Sequence, residues 1–136
     1  MLISQYFYAF GAGLLGLLGS IHLYYTFFSS KFDSYDPAVD EAMKTTTPRI
    51  SKDTTMWKAW IGFNASHSVG PMFLASVYLP LSITHFSLLQ SSVWFAALPL
   101  VTSLYYLLLA KKYWFSVPFN GIGLASLCFL VALVTR

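Results

Sequence analysis

The chain has 136 residues, of which 57% are hydrophobic and only 10% are charged, and its formal net charge is +3. Soluble domains carry about 25% charged residues, so this composition excludes an ordinary water-soluble domain. The basic residues are too few and too scattered for a nucleic-acid surface, and we expect no nucleic-acid partner.

The charged residues are confined to short parts of the chain. All five acidic residues lie between Asp33 and Asp53, and no charged side chain precedes Lys31. Because an ion in hydrocarbon loses its hydration at a large cost in free energy, charge marks the parts of a membrane protein that face water. The sequence therefore predicts one large hydrated loop in a chain that otherwise lies in lipid.

Four apolar runs predict an all-α polytopic membrane protein, a bundle of four transmembrane helices that forms a single domain over residues 1–136. Each run is near the ~20 residues with which a helix crosses a bilayer, and none alternates as a barrel strand does. The predicted spans are residues 5–28, 54–80, 91–110 and 117–135. The first run has no basic start and no cleavage site, so we expect it to be retained rather than removed as a signal peptide.

The first loop carries the signals of a short surface helix over residues 37–45. Asp36 followed by Pro37 is typical of an N-cap and a first helical position. Asp40 near the start and Lys44 in the last turn both interact favourably with the helix dipole, which stabilises the helix. Caps are also predicted for the later spans, from the side chains of Ser51 or Asp53, of Ser91 or Ser92, and of Ser116 before Pro118.

Basic residues flank the predicted spans unequally. Seven belong to the first and third loops and the start of the second span, and the opposite side holds only Arg136. Because cytoplasmic loops are enriched in Lys and Arg, we expect both loops in the cytoplasm, both termini outside, and a multi-pass protein of the plasma (inner) membrane. The seven residues are Lys31, Lys44, Arg49, Lys52, Lys58, Lys111 and Lys112.

The second predicted span holds the strongest candidate for a ligand-binding site. At 3.6 residues per turn, one narrow helical face carries four large or polar side chains, Trp57, Trp60, Asn64 and His67. An amide and an imidazole are costly in lipid, so they should face the protein interior or a water-filled cavity. This face either binds a ligand or forms interhelical hydrogen bonds beside a kink at Pro71.

His22 lies near the cytoplasmic end of the first span. It is either a packing residue or a further member of the same ligand-binding site. With the helix ends taken as level, His22 would lie about 9 Å deep and His67 about 15–20 Å deep, at 1.5 Å per residue. This mismatch argues against one haem iron held between the two rings. We therefore expect no metal site and no cofactor.

Small residues lie along the first two predicted spans and indicate close helix packing. The first span carries Gly11, Gly13, Gly16 and Gly19, and the face of the second span opposite the tryptophans carries Ala59, Gly62, Ser66 and Gly70. Because small side chains let helix backbones approach, we expect these faces to pack on neighbouring helices, on a protein partner or on a second copy of the chain.

Two basic residues, Arg49 and Lys52, directly precede the second predicted span. Cations at a membrane surface can hold an anionic headgroup or an anionic substrate. They are also typical of ordinary flanking residues on the cytoplasmic side. No nucleophile with a base and an acid is visible in the sequence, and whether the chain is an enzyme stays open.

A dense signature runs from Trp57 to Ser68 (WKAWIGFNASHS). Earlier parts of the same pattern are His22-Leu23, Lys31-Phe32, Asp36-Pro37 and Ala42-Met43-Lys44. Together these residues resemble an uncharacterised family of short bacterial four-helix integral membrane proteins, over residues 16–75. The resemblance implies the membrane class and the four-helix fold, and that family has no assigned activity.

Three functions are compatible with these features. The first is an accessory or lipid- or small-molecule-binding subunit of a larger membrane assembly. The alternative is a membrane enzyme that acts on a lipid-soluble substrate, such as a quinone, a sterol-like lipid or an acyl lipid. A small transporter that acts as an oligomer ranks third, because the predicted spans contain no carboxylate. The expected partners are the lipid bilayer, a protein partner or second copy, and a lipid-soluble small molecule.

Overall fold

The structure is a computed structural model that describes residues 2–136, and these residues form helices and no strands. The all-α prediction is therefore confirmed. The helices are α1 (Ile3–Phe28), α2 (Pro37–Thr45), α3 (Met56–Thr84), α4 (Phe86–Ser91), α5 (Val93–Tyr113) and α6 (Ser116–Val134). The short helix α4 lies where the sequence predicts only a loop.

Three helices, α1, α5 and α6, are long and apolar enough to cross a membrane. Only 22% to 33% of each apolar segment is buried inside the protein. Large apolar side chains therefore face outward along these helices, which water would penalise and lipid would not. The helix α3 is longer but less apolar, because an amide, an imidazole and two internal prolines interrupt it. The number of spans beyond three stays a prediction.

The helix α2 has the ends that its sequence favours. The Asp36 carboxylate accepts a hydrogen bond from the backbone N–H of Ala38, and Pro37 is the first helical residue. Lys44 lies in the last turn, where the helix dipole is negative. The helix contains no buried residue.

The other helix starts differ in part from the predicted caps. Ser92 caps α5, because its hydroxyl accepts from a backbone N–H in the first turn. Neither Ser51 nor Asp53 caps α3, which begins at Met56 and whose first turn donates to the Thr55 hydroxyl. Ser116 is itself the first residue of α6, and Phe115 occupies the N-cap position without a side-chain bond.

The chain divides into two compact units by its internal contacts. Unit 1 comprises Met1–Leu18 and Pro71–Arg136, and unit 2 comprises Gly19–Gly70. Each unit contains part of α1 and part of α3. The prediction of a single domain stays a prediction.

Unit 1 contains the packed contact between α5 and α6 and a core that includes the fully buried Tyr8 and Phe129. Glycines make this packing possible on α1. A Cβ atom on Gly11 would lie 3.0 Å from the Phe129 ring, and one on Gly16 would lie 2.7 Å from the Cβ atom of Ala75. The same atom on Gly13 would meet nothing within 4 Å.

Hydrogen bonds from side chains join the helix ends of unit 1. The hydroxyl of Tyr8 donates to the carbonyl of Ala96 at 3.0 Å. The Gln5 amide donates to the Ser82 carbonyl at 3.1 Å. The Arg136 guanidinium donates to two carbonyls at the end of α4, at 3.1 and 3.2 Å. These bonds satisfy backbone oxygens that a helix end or a helix surface leaves available.

One predicted packing face of α3 lies open. Ala59, Gly62 and Ser66 are exposed, and a Cβ atom on Gly62 would meet nothing within 4 Å in residues 2–136 apart from its own turn of helix. The prediction that α3 packs closely through both of its faces is therefore wrong for contacts within this chain. Only the face that carries Asn64 is buried here.

Candidate functional site

Two imidazole rings meet in unit 2, one from α1 and one from α3. The ring centroids of His22 and His67 are 5.6 Å apart, in an edge-to-face arrangement with an interplanar angle of 67°. Both side chains are half-buried. The predicted difference in depth between the two histidines is therefore wrong.

The difference arises from the helix ends, which are not level. His22 lies six residues before Phe28, the last residue of α1, whereas His67 lies eleven residues after Met56, the first residue of α3. The first turns of α3 thus extend about 7.5 Å beyond the end of α1, at 1.5 Å per residue. Helix lengths alone do not reveal such an offset.

Asn64 is the polar centre of this site and is only 5% exposed. Its amide nitrogen donates to the Trp60 carbonyl at 2.9 Å, which turns Oδ1 toward Nε2 of His22 at 3.2 Å. An amide oxygen only accepts hydrogen bonds, so Nε2 of His22 carries a proton. We call His22, Asn64 and His67 the histidine cluster.

Aromatic rings border the histidine cluster. Phe63 stacks on His67, with centroids 6.0 Å apart and an interplanar angle of 14°. Phe32 lies against His22 with centroids 4.8 Å apart. The ring of Phe32 also meets Trp60 edge-on at 6.2 Å, and the Trp60 indole N–H donates to the Phe32 carbonyl at 3.2 Å.

Phe32 and Phe63 belong to the site although the sequence does not single them out as site residues. Phe63 had a usable signal, since it precedes His67 by four positions and residues at that spacing are neighbours on a helix surface. Phe32 had none. Its position depends on the turn over residues 29–33, which directs the ring back toward the helices.

The other predicted site residues lie apart from the histidine cluster. Nζ of Lys44 lies 5.5 Å above the Trp57 ring and 3.0 Å from a Glu41 carboxylate oxygen. That hydrogen bond raises the pKa of Lys44 and keeps it cationic. Arg49 and Lys52 are exposed, and in residues 2–136 the only ion pair is Lys44–Glu41.

A shallow surface groove of about 380 Å³ lies on α2, also in unit 2, and is not part of the histidine cluster. It is lined by Ala38, Val39, Ala42, Met43, Thr46 and Met56. Its lining is almost wholly apolar, so it offers no hydrogen-bonding group that would select a ligand. The polar chemistry of this unit is concentrated at the histidine cluster.

The histidine cluster supplies hydrogen-bond donors and acceptors. It contains neither a carboxylate nor an amine. Its two imidazole rings are in direct contact, so a porphyrin could enter between them only if the helices separated. Throughout residues 2–136, no group of three His, Cys, Asp or Glu side chains comes together. The chemistry available is hydrogen bonding and proton exchange through imidazole nitrogens.

No protein-family model matches the chain, and no curated protein and no solved structure matches it. The similarity of residues 16–75 to a bacterial four-helix family stays an expectation.

Proposed function

We propose that this chain is a small integral membrane protein that binds a neutral, lipid-soluble molecule at the histidine cluster. The observation that carries the proposal is the buried Asn64 amide in contact with His22, with a second imidazole beside it. Polar groups at membrane depth cost free energy and are retained mainly where they serve a function.

A fourth span formed by α3 is part of this proposal. In unit 1, Gln5 of α1 bonds to Ser82 of α3. In unit 2, His22 of α1 bonds to Asn64 of α3. In each unit a part of α3 thus runs beside a helix that is apolar enough to cross a membrane. No charged residue follows Lys58 in α3, which supports its insertion in lipid.

The surroundings of the histidine cluster favour a neutral ligand over an anionic one. The helix α1 contains no Lys, Arg, Asp or Glu, and α3 contains only Lys58, at its start. Beyond Lys58, α1 and α3 therefore offer no fixed cation to offset the cost of bringing an anion into lipid. Imidazole and amide groups match a carbonyl or hydroxyl oxygen instead.

The open face of α3 supports the role of a subunit within a larger membrane assembly. Ala59, Gly62 and Ser66 leave room for a close helix neighbour. An enzyme that acts on a lipid-soluble substrate is the alternative. The contact between His22 and His67 favours it, because paired imidazoles can give and take a proton at a bound molecule. A transporter has less support, since α1, α3, α5 and α6 contain no carboxylate that would couple it to ions.

The test is purification with native lipids, followed by mass spectrometry of the small molecules that co-purify. Wild type should retain a neutral lipid-soluble compound, and Asn64→Leu should lose it while its circular dichroism spectrum is unchanged. The matched control is Asn120→Leu, an exposed Asn on α6, which should retain the compound. A ligand kept by Asn64→Leu would contradict the proposal. A lowered melting temperature in the same variant, with no ligand found in wild type, would identify Asn64 as a packing residue.

A further inference from the structure

The ring of Phe32, which comes from the turn that follows α1, lies against His22 of the histidine cluster. It lies 4.8 Å from His22 and 6.2 Å from Trp60, measured between ring centroids. The side chain is half-buried, although it comes from a turn and not from a helix. A flat aromatic ring therefore already occupies the position between His22 and Trp60.

The turn that carries Phe32 is held by bonds within itself and by bonds to α1 and α3, the bond to α1 running from the Ser29 hydroxyl to the Tyr25 carbonyl at 2.9 Å. The N–H of Asp33 donates to the Ser30 carbonyl at 3.2 Å, and the N–H of Lys31 donates to the Ser29 hydroxyl at 3.2 Å. The bond from the Trp60 indole to the Phe32 carbonyl, at 3.2 Å, joins it to α3. Because this bond is to the backbone carbonyl, it breaks when Phe32 moves out together with its backbone, and the bonds inside the turn stay intact.

We propose that Phe32 occupies the position of a planar ring headgroup, and that the ligand is a ring molecule with oxygen atoms on its edge, such as a quinone. This inference rests on the proposed binding function. The ring of the ligand takes the position of the Phe32 ring, which is inclined at 58° to His22 and meets Trp60 edge-on at 69°, and such inclined contacts are favoured between aromatic rings. An edge oxygen then lies toward Asn64, whose amide nitrogen has a second proton beyond the one given to the Trp60 carbonyl.

The ring geometry separates this ligand class from acyl and sterol-like lipids. An acyl chain has no aromatic ring for such inclined contacts, and a sterol ring system is saturated and puckered over most of its length. Neither matches the space that a phenyl ring fills between an imidazole and an indole. A quinone or quinol headgroup matches it in shape, and its oxygens match the polar groups beneath.

The test measures binding of a benzoquinone with a decyl tail to the full chain in nanodiscs, by isothermal titration calorimetry. Phe32→Ala removes the competing ring and should tighten binding about tenfold, the effect of one hydrogen bond and ring contact that no longer has to be broken. The matched control is Phe28→Ala, an exposed Phe at the end of α1, which should leave the affinity unchanged. Phe32→Leu keeps apolar bulk but loses the ring contacts, so it should bind with an intermediate affinity. It replaces Phe32→Ala in the test if that variant does not fold.

A second readout follows the displacement directly. The indole N–H resonance of Trp60, assigned with Trp60→Phe, should shift when the benzoquinone binds to wild type, because its bond to the Phe32 carbonyl breaks. Decan-2-one, a carbonyl compound without a ring, should bind equally to wild type and Phe32→Ala.

Three outcomes would overturn the inference. Equal or weaker benzoquinone binding in Phe32→Ala would show that the ligand does not displace the Phe32 ring. Binding of decan-2-one without the benzoquinone would remove the ring assignment and leave the binding function standing. Absence of binding for both probes in all variants would remove the proposed function as well.

Discussion

The hydroxyl of Tyr78 donates a hydrogen bond of 2.7 Å to the carbonyl oxygen of Phe95. In a regular helix that carbonyl would accept from the N–H four residues later, but the residue there is Pro99, which has none. Tyr78, only 3% exposed, supplies the missing donor from α3. The proline in α5 and the tyrosine in α3 are therefore energetically linked.

Replacing Tyr78 with Phe should lower the free energy of unfolding by about 1–3 kcal/mol, the usual cost of an unsatisfied buried polar group. In a Pro99→Ala background the same replacement should cost less, because the alanine N–H can bond to Phe95. The measurement is a double-mutant cycle from reversible unfolding in mixed detergent micelles. Equal costs of Tyr78→Phe in both backgrounds would show that the two residues are independent.

The glycines of α1 should differ sharply in their tolerance of a methyl group. Gly16→Ala brings a Cβ atom to 2.7 Å from that of Ala75, so the melting temperature should fall by several degrees as the two helices separate. Gly13→Ala is the matched control, and it should be neutral or stabilise by up to about 1 kcal/mol through helix propensity. Thermal melts followed by circular dichroism test both variants. A Gly16→Ala variant as stable as Gly13→Ala would argue against close packing at this position.

Topology can be tested with cysteines at fully exposed loop positions. In a Cys128→Ala background, Tyr35→Cys and Ile50→Cys should resist an impermeant maleimide in intact cells and react once the cells are permeabilised. Ser87→Cys, an exposed position on α4, should react in intact cells. These outcomes follow from the excess of Lys and Arg beside the first loop. The opposite labelling pattern would reverse the predicted orientation.

The purified protein should be colourless. Nε2 of His22 is engaged by Oδ1 of Asn64, and the rings of His22 and His67 meet edge to face, so this arrangement would have to change before one haem iron could take both as axial ligands. The measurement is an absorption spectrum of protein purified from haem-supplemented cells. A Soret band that is lost in both His22→Ala and His67→Ala would show that the helices separate to admit the cofactor.

The sequence predicts most helices well because long apolar runs determine them. It is weaker for α3, whose Asn64, His67, Pro71 and Pro80 dilute its hydropathy while leaving its helical structure intact. The cap at Asp36 depends only on neighbouring residues and was predicted correctly.

The periodicity of apolar residues along the chain cannot indicate which residues far apart in sequence come into contact. The meeting of His22 and His67 depends on how far α3 extends past the end of α1, and that offset is produced by the fold of the connecting segment. The position of Phe32 depends on the same segment. The acceptor for Tyr78 depends on which helix faces α3, and the apolar run of α5 does not encode this.

The backbone N–H of Met56 donates to the carbonyl of Thr46 at 2.8 Å, so the start of α3 is bonded to the residue that follows α2. Residues 47–55 therefore form a loop whose two ends are joined by this one hydrogen bond. Because the entropic cost of lengthening such a loop grows slowly, and its tip is exposed at Arg49 and Ile50, this site should accept an inserted epitope or a fused fluorescent protein. The chain thus offers an internal attachment point at which a label would leave the ends of both helices undisturbed.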